Sequence, residues 1–247
     1  MLSERLKIIA GQIEKGQTMA DIGTDHGFLP LYLWENDICP KIIMTDISAG
    51  SLNKAKETFE KYAQKHVKKY AEKHAEKYAD IHFRPGDGLG PVGKGEAGAV
   101  VIAGMGGVMI TRILGSDISK TLSFEKYILQ PRNGSGKLRY WLEEAKFETV
   151  SEHLAEEGKF ICEIITASPP ESLDAPPSLA GYPDRPEYEI PRRPAAGNEE
   201  IFELYLNKKL NIEKEILKEM INGKARDEKK ISRVKSRIKF LEGVLLR

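Results

Sequence analysis

Met19-Ala-Asp-Ile-Gly-Thr-Asp-His-Gly-Phe28 decides the reading of this chain: a short apolar run ends in Asp21, Gly23, Asp25 and Gly27, and a helix-like segment follows over residues 29–35. Small residues alternating with acids between a strand and a helix make a turn in which backbone can approach a ligand closely, because glycine has no Cβ. Two carboxylates inside the turn repel a pyrophosphate. They suit instead a cationic or zwitterionic ligand that also carries ribose hydroxyls.

Working outward, residues 18–22 read as the first strand, and residues 3–15 before it as a helix with apolar positions at Leu6, Ile9, Ala10 and Ile13. Arg5 and Lys7 on that helix point to the mouth of the turn or to solvent, solvent being the default for such cations. Residues 42–46 form the second strand, ending in Asp46. In doubly wound folds an acid about 20 residues past the glycine turn accepts hydrogen bonds from ribose hydroxyls; a bare Asp before Ser48 also serves as a helix cap. Residues 80–84 make a third strand, followed by Pro85-Gly-Asp-Gly-Leu89, whose Asp87 is placed either to accept an adenine amine or simply to hold a turn. Residues 98–107 are a continuous apolar strand running into a second glycine turn, Gly104-Met-Gly-Gly107. Two glycine turns and three acids at one sheet edge fit S-adenosylmethionine, which combines a sulfonium, an amino-acid end and a ribose.

Residues 126–130 supply a fifth strand, ending in Gln130-Pro-Arg-Asn-Gly134 with Arg132 beside it. Residues 147–155 and 159–167 then alternate apolar and polar around Glu156-Glu-Gly158, which predicts a hairpin. Five strand–helix steps closed by that hairpin predict an α/β fold: a seven-stranded Rossmann-like sheet of the class I methyltransferase type, distinct from six-stranded dinucleotide dehydrogenases.

Hydrophobic residues at 40% and charged residues at 30% over 247 positions indicate a soluble globular chain. No run approaches the roughly 20 apolar residues of a membrane span, and the N-terminus lacks a signal-peptide core. Cys39 and Cys162 show neither a pairing pattern nor zinc spacing, so a reducing, cytoplasmic setting without metal is expected. Residues 62–79 nearly repeat every eight positions and set Tyr62, His66, Tyr70, His74, Tyr78 and His82 four apart. Metal or RNA contact through that stripe is outweighed by a duplicated, solvated extension, because histidines eight apart chelate one ion poorly.

Residues 168–198 contain eight prolines and read as a linker or surface strap between a catalytic body at 1–167 and a helical module at 199–247. In that module Leu206, Leu210, Ile212, Leu217 and Met220, a break at Asn222-Gly223, then Ile231, Val234, Ile238, Leu241 and Leu245 predict a C-terminal α-helical coiled-coil hairpin. Residues 224–247 hold nine Lys or Arg against three Asp or Glu, net +6, which is either a solvated face or a footprint for RNA phosphates.

Asp21-Ile-Gly-Thr-Asp-His-Gly27, Thr45-Asp-Ile-Ser48, Gly86-Asp-Gly-Leu89, Ala103-Gly-Met-Gly-Gly107, Leu129-Gln-Pro131 and the terminal hairpin together resemble the bacterial tRNA adenine-N1-methyltransferases that modify position 22. The resemblance covers essentially the whole chain; the octad duplication and the long proline-rich stretch depart from it. It implies S-adenosylmethionine held by Asp21, Gly23, Asp25, His26, Gly27 and Gly104, with Asp46 on the ribose and Asp87 near the adenine. Asp25 and His26 then edge the reacting centre. Met105 and Gly106 shape the acceptor-base site, Arg132 and Asn133 hold the nucleotide, and Lys229, Lys230, Arg233 and Arg237 meet the tRNA. The chain lacks the Asn-Pro-Pro-Tyr motif that many amino-methylating enzymes carry after strand four, which favours a ring nitrogen as acceptor. A monomer is expected. Two rival readings are a small-molecule methyltransferase with a dimerising hairpin and an RNA-binding scaffold that retains a cofactor fold.

Overall fold

Apolar residues concentrated in short runs separated by amphipathic segments leave the chain one economical arrangement, a sheet with both faces covered by helices. The computed structural model describes residues 2–65, 80–183, 185–192, 194–223 and 227–246. Its strands are β1 Met19–Ile22, β2 Ile42–Asp46, β3 Ile81–Pro85, β4 Ala99–Gly106, β5 Lys126–Asn133, β6 Glu148–Glu157 and β7 Phe160–Ser168. They form a single sheet in the order β3-β2-β1-β4-β5-β7-β6, parallel except for β7, which is antiparallel to both β5 and β6.

Helices α1 Glu4–Gly11, α2 Phe28–Glu35 and α3 Ala49–Lys65 cover one face, burying Ile9, Leu33, Trp34 and Phe59 against Met44 and Val101. Helices α4 Gly107–Ser116 and α6 Ser135–Glu144 cover the other through Ile110, Leu114, Leu138 and Trp141, with the single-turn α5 Ile118–Thr121 between them. The strand order reverses between β1 and β4. Their carboxyl ends therefore diverge into the crevice where doubly wound sheets bind ligands.

Two expectations change. Strand β5 continues past Gln130 to Asn133, because the bulge in β4 after Ala103 lets Met105 and Gly106 pair with Pro131 and Asn133. The β6–β7 connection is the two-residue turn Gly158-Lys159 rather than 156–158; Gly158 takes φ +61°, a conformation that costs glycine little. A third expectation narrows to one of its two readings, the proline-rich stretch being a strap: Pro186–Glu189 forms a 3₁₀ turn, Pro194 bridges to Glu152, and Tyr188 and Ile190 are buried. Rings supply the packing where proline cannot supply hydrogen bonds, with Tyr182 and Tyr188 edge-on to Tyr140 of α6.

The helical hairpin comprises α7 Glu199–Asn222 and α8 Glu228–Leu245. Its base is docked, since Tyr205, Leu206, Leu210 and Leu241 form one cluster with Leu154 of β6 and Ile190 of the strap. Farther out the seam continues through Ile231 and Val234, both buried. Ile212, expected in the seam, is 59% exposed, and Lys214–Glu242 and Arg237–Glu213 ion pairs also join the helices. Of the octad stripe only its ends, Tyr62 and His82, are described, and residues 66–79 lie outside the described residues.

Candidate functional site

At the crevice lies a cavity of about 560 Å³ walled by the ends of β1, β4 and β5, the start of α1 and the β6–β7 hairpin. Asp21, Gly23, Asp25, His26, Gly27, Gly104, Arg132 and Asn133 all line it, so the first glycine turn and the end of β5 are brought together.

Two N–H groups of the first turn are used inside the protein: Gly23 and Thr24 both donate to the Thr45 carbonyl, at 2.8 and 3.0 Å, which pins the turn to β2. Gly23 (φ +81°) lies under the Met105 side chain, whose Cε is 2.1 Å from where a Cβ would stand. Gly104 (φ +77°) meets nothing within 4 Å of that point. Its surface is open to whatever enters.

Asp21 accepts a hydrogen bond from the Thr24 hydroxyl. Burial pushes its carboxyl up to about 6; the Thr24 bond opposes this, nearby Asp46 adds to it, and Arg5 opposes it. A carboxyl so poised would bind a positively charged group at neutral pH with a gain in Coulomb energy. Asp25 is more exposed and has two side-chain partners, the Lys54 ammonium with Nζ at 3.2 Å and the His26 imidazole with Nε2 at 3.2 Å. His26 in turn stacks on Phe28 with ring centroids 5.4 Å apart.

Arg5, for which solvent was the default, faces the site. Its Nε donates to both oxygens of Glu157 (3.0 and 2.9 Å), and its NH1 to Gln130 Oε1 at 3.2 Å. The same Gln130 oxygen accepts the Gly104 N–H at 3.0 Å. Buried Gln130 therefore ties the second glycine turn to α1 and to the hairpin. Glu157 and Gln130 were invisible as site residues because their partners lie 152 and 125 positions away.

Other expected residues sit elsewhere. Asp46 ends β2 beside Asp21, but its Oδ1 accepts the Ser48 N–H at 2.6 Å in a tight turn before the next helix, whose cap is Ser48, accepting the Ser51 N–H at 3.4 Å; Asp46 does not line the cavity. Asp87 is exposed on the turn after β3, also outside the cavity wall. Met105 packs toward the core, and Gly106 abuts Asn133, so both act from behind the wall. Lys229, Lys230 and Arg233 are exposed on α8. Arg237, expected among them, lies half-buried against Glu213 at 3.0 Å. Gly107 allows the loops after β4 and β5 to touch; a Cβ there would fall 2.3 Å from the Gly134 carbonyl.

Behind the cavity, Glu163 and Ser135 of its wall enter a buried network. Arg139 binds Glu152 at 2.7 Å, Glu163 at 2.6 Å and the Tyr188 carbonyl at 3.0 Å, and Ser135 donates to Glu163 at 2.9 Å. Although burial opposes it, the charges of Arg139 and Lys209 keep the Glu163 carboxyl below its usual value. Sheet and strap meet at that guanidinium, and the helical hairpin joins them through Lys209, 4.0 Å from Glu163. Among the described residues no group of three or more His, Cys, Asp or Glu is placed to hold a metal, and no helix is long and apolar enough to cross a membrane.

A family model described as a methyltransferase domain matches residues 2–165. A curated relative from Bacillus subtilis (strain 168), named tRNA (adenine(22)-N(1))-methyltransferase, is 36% identical over 166 residues, or 67% of this chain and 64% of that protein. The match thus spans just under two thirds of that relative's length. Among solved structures, an uncharacterized protein from Listeria monocytogenes serotype 4b superposes with a TM-score of 0.81 at 26% identity, covering 99% of this chain and 100% of that one. The B. subtilis M1A22 tRNA methyltransferase TrmK superposes with a TM-score of 0.74 at 28% identity over 99% of each chain.

Proposed function

Because this chain belongs to the methyltransferase-domain family, we propose that it transfers a methyl group from S-adenosylmethionine to N1 of an adenine in tRNA, at position 22. The observation that carries the reading is that the likeness to the B. subtilis M1A22 enzyme runs over 99% of both chains, helical hairpin included, and not over the common sheet alone.

The cofactor fits the residues present. Asp21, with its carboxyl at about 6, favours a cationic group beside it, and Gly104 offers a surface free of side chain. Gly23, Asp25, His26 and Gly27 complete the near wall; Asp46 and Asp87, outside that wall, take the ribose and the adenine only where the cofactor extends past it along the ends of β2 and β3. S-adenosylmethionine, when bound, supplies an electrophilic methyl carbon on a sulfonium.

Adenine N1 carries an exposed lone pair, so the chain has little proton chemistry to perform at the moment of attack. Its work is positional. The base must leave its stack to reach the crevice, and Arg132 and Asn133, exposed at the end of β5, are placed to hold its nucleotide. The Arg5–Gln130–Gly104 chain of hydrogen bonds fixes the loop that separates donor side from acceptor side. The product base is a cation; Asp25 and Glu157 on the cavity wall stabilise that developing charge. Exposed Lys229, Lys230 and Arg233 of α8 draw the polyanion to the protein. The tRNA is the partner, and the site requires no metal.

Incubation with methyl-labelled S-adenosylmethionine and tRNA lacking the modification, followed by mapping of the labelled nucleotide, tests this. Label at N1 of A22 is expected. Label confined to small molecules, or binding of tRNA without label, would replace it with a small-molecule enzyme or a scaffold.

A further inference from the structure

The geometry points to Phe160 as the platform on which the extruded acceptor base stacks, and to Arg5 as the residue that aims it; this rests on the function proposed above. Phe160 is the first residue of β7, directly after the Gly158-Lys159 turn, and is 64% exposed while lining the cavity. A phenyl ring held in water at the tip of a hairpin gains nothing from folding. It becomes favourable once a flat apolar surface covers it, and every base has such a face.

Three observations make an unstacked nucleobase the occupant. The opposite rim carries a second aromatic surface, Phe28 (53% exposed) with His26 stacked upon it, so the mouth is lined by rings on both the α2 and the hairpin side. Lys159 Nζ lies over one face of the Phe160 ring, 5.3 Å from its centroid, which leaves the other face for a base and puts a cation within reach of the phosphate of the same nucleotide. The tip is also held in place. Phe160 pairs in register with Glu157, and Glu157 is gripped through both oxygens by Arg5 of α1, which also holds Gln130 at the cavity wall. A ring merely left over on a surface would not need its strand anchored from the far end of the chain. Arg5 thus acts through Glu157 as a positioning residue.

Steady-state methylation of unmodified tRNA by the full chain, with calorimetry of S-adenosylmethionine binding alongside, tests the assignment. Phe160→Ala and Phe160→Leu are expected to lower kcat/KM for tRNA about tenfold or more, Leu failing because it restores apolar area without a stacking face, while Phe160→Trp recovers most of the activity. Donor affinity should stay within about twofold in all three. Arg5→Lys, which cannot grip both Glu157 oxygens, should lower kcat/KM in the same direction, and combining it with Phe160→Ala should add little further loss. Activity of Phe160→Ala within twofold of the unaltered chain, full rescue by Leu, or a dimer that dissociates on substitution would overturn the stacking role. If the unaltered chain itself methylates no tRNA, the functional reading fails and takes this one with it; an active chain with an indifferent Phe160 sinks only the platform.

Discussion

Asp21 sets a pH dependence that a carboxylate in water would not. Its ordinary value is 3.8 and burial raises it to about 6. Between about pH 4 and 6 the unfolded chain ionises this group while the folded chain keeps it protonated, so its contribution favours folding as pH falls through that window. Above about 6 both states are ionised and the buried charge weighs fully against the fold. A bound cation prefers the ionised form. Affinity for S-adenosylmethionine is therefore expected to tighten as pH rises through about 6 and to level off above it, and Asp21→Asn should flatten that profile and weaken binding; calorimetry across the range reads both. Gly104 makes a second test. A Cβ would meet no neighbour, so Gly104→Ala should cost about 1–2 kcal/mol through its positive φ alone, visible in chemical denaturation, and should weaken donor binding by intruding on the open wall.

At the scale of elements, Arg139 is the joint among α6, the β6–β7 hairpin and the strap. Removing it leaves Glu152, 2% exposed, and Glu163 buried without their guanidinium. Arg139→Ala should therefore destabilise by about 3–5 kcal/mol. Because Lys209 and Tyr205 of α7 also reach Glu163, the loss should loosen the helical hairpin as well as the sheet edge. Hydrogen exchange reads the extent: protection should fall in α7 and β7 together, and a loss confined to α6 would contradict the shared joint. The strap is held by the same contacts. Proline-rich composition excludes a ladder of hydrogen bonds but not burial of tyrosine rings, which is why a stretch that looks like a linker lies packed on the body.

The molecule as a whole divides its charge. The sheet domain carries acids at the cavity, whereas α8 presents cations outward. Substituting Lys229 and Lys230 by Gln should reduce the slope of log affinity for tRNA against log salt by about 2, with donor binding unchanged, as filter binding at several salt concentrations would show. Arg237 does not belong in that set. Its ion pair with Glu213 couples α7 to α8, so Arg237→Gln should register in thermal stability more than in salt dependence.

Strand count, strand order type, the glycine turns and the helical hairpin were all legible in the chain itself, because each rests on local periodicity or on a residue type with few alternatives. An apolar run bounded by glycine makes a buried strand whatever surrounds it, and Asn222-Gly223 breaks a helix unaided. What tertiary structure alone decided is which side chains share a wall. Arg5 meets Glu157, Gln130 meets Gly104, and Arg139 meets Glu163 across separations that carry no periodic signal. Whether Gly23 spends its N–H on Thr45 depended likewise on how neighbouring strands align. Hydrogen bonds and ion pairs form wherever folding brings partners within about 3 Å, and only the packed sheet determines those neighbours.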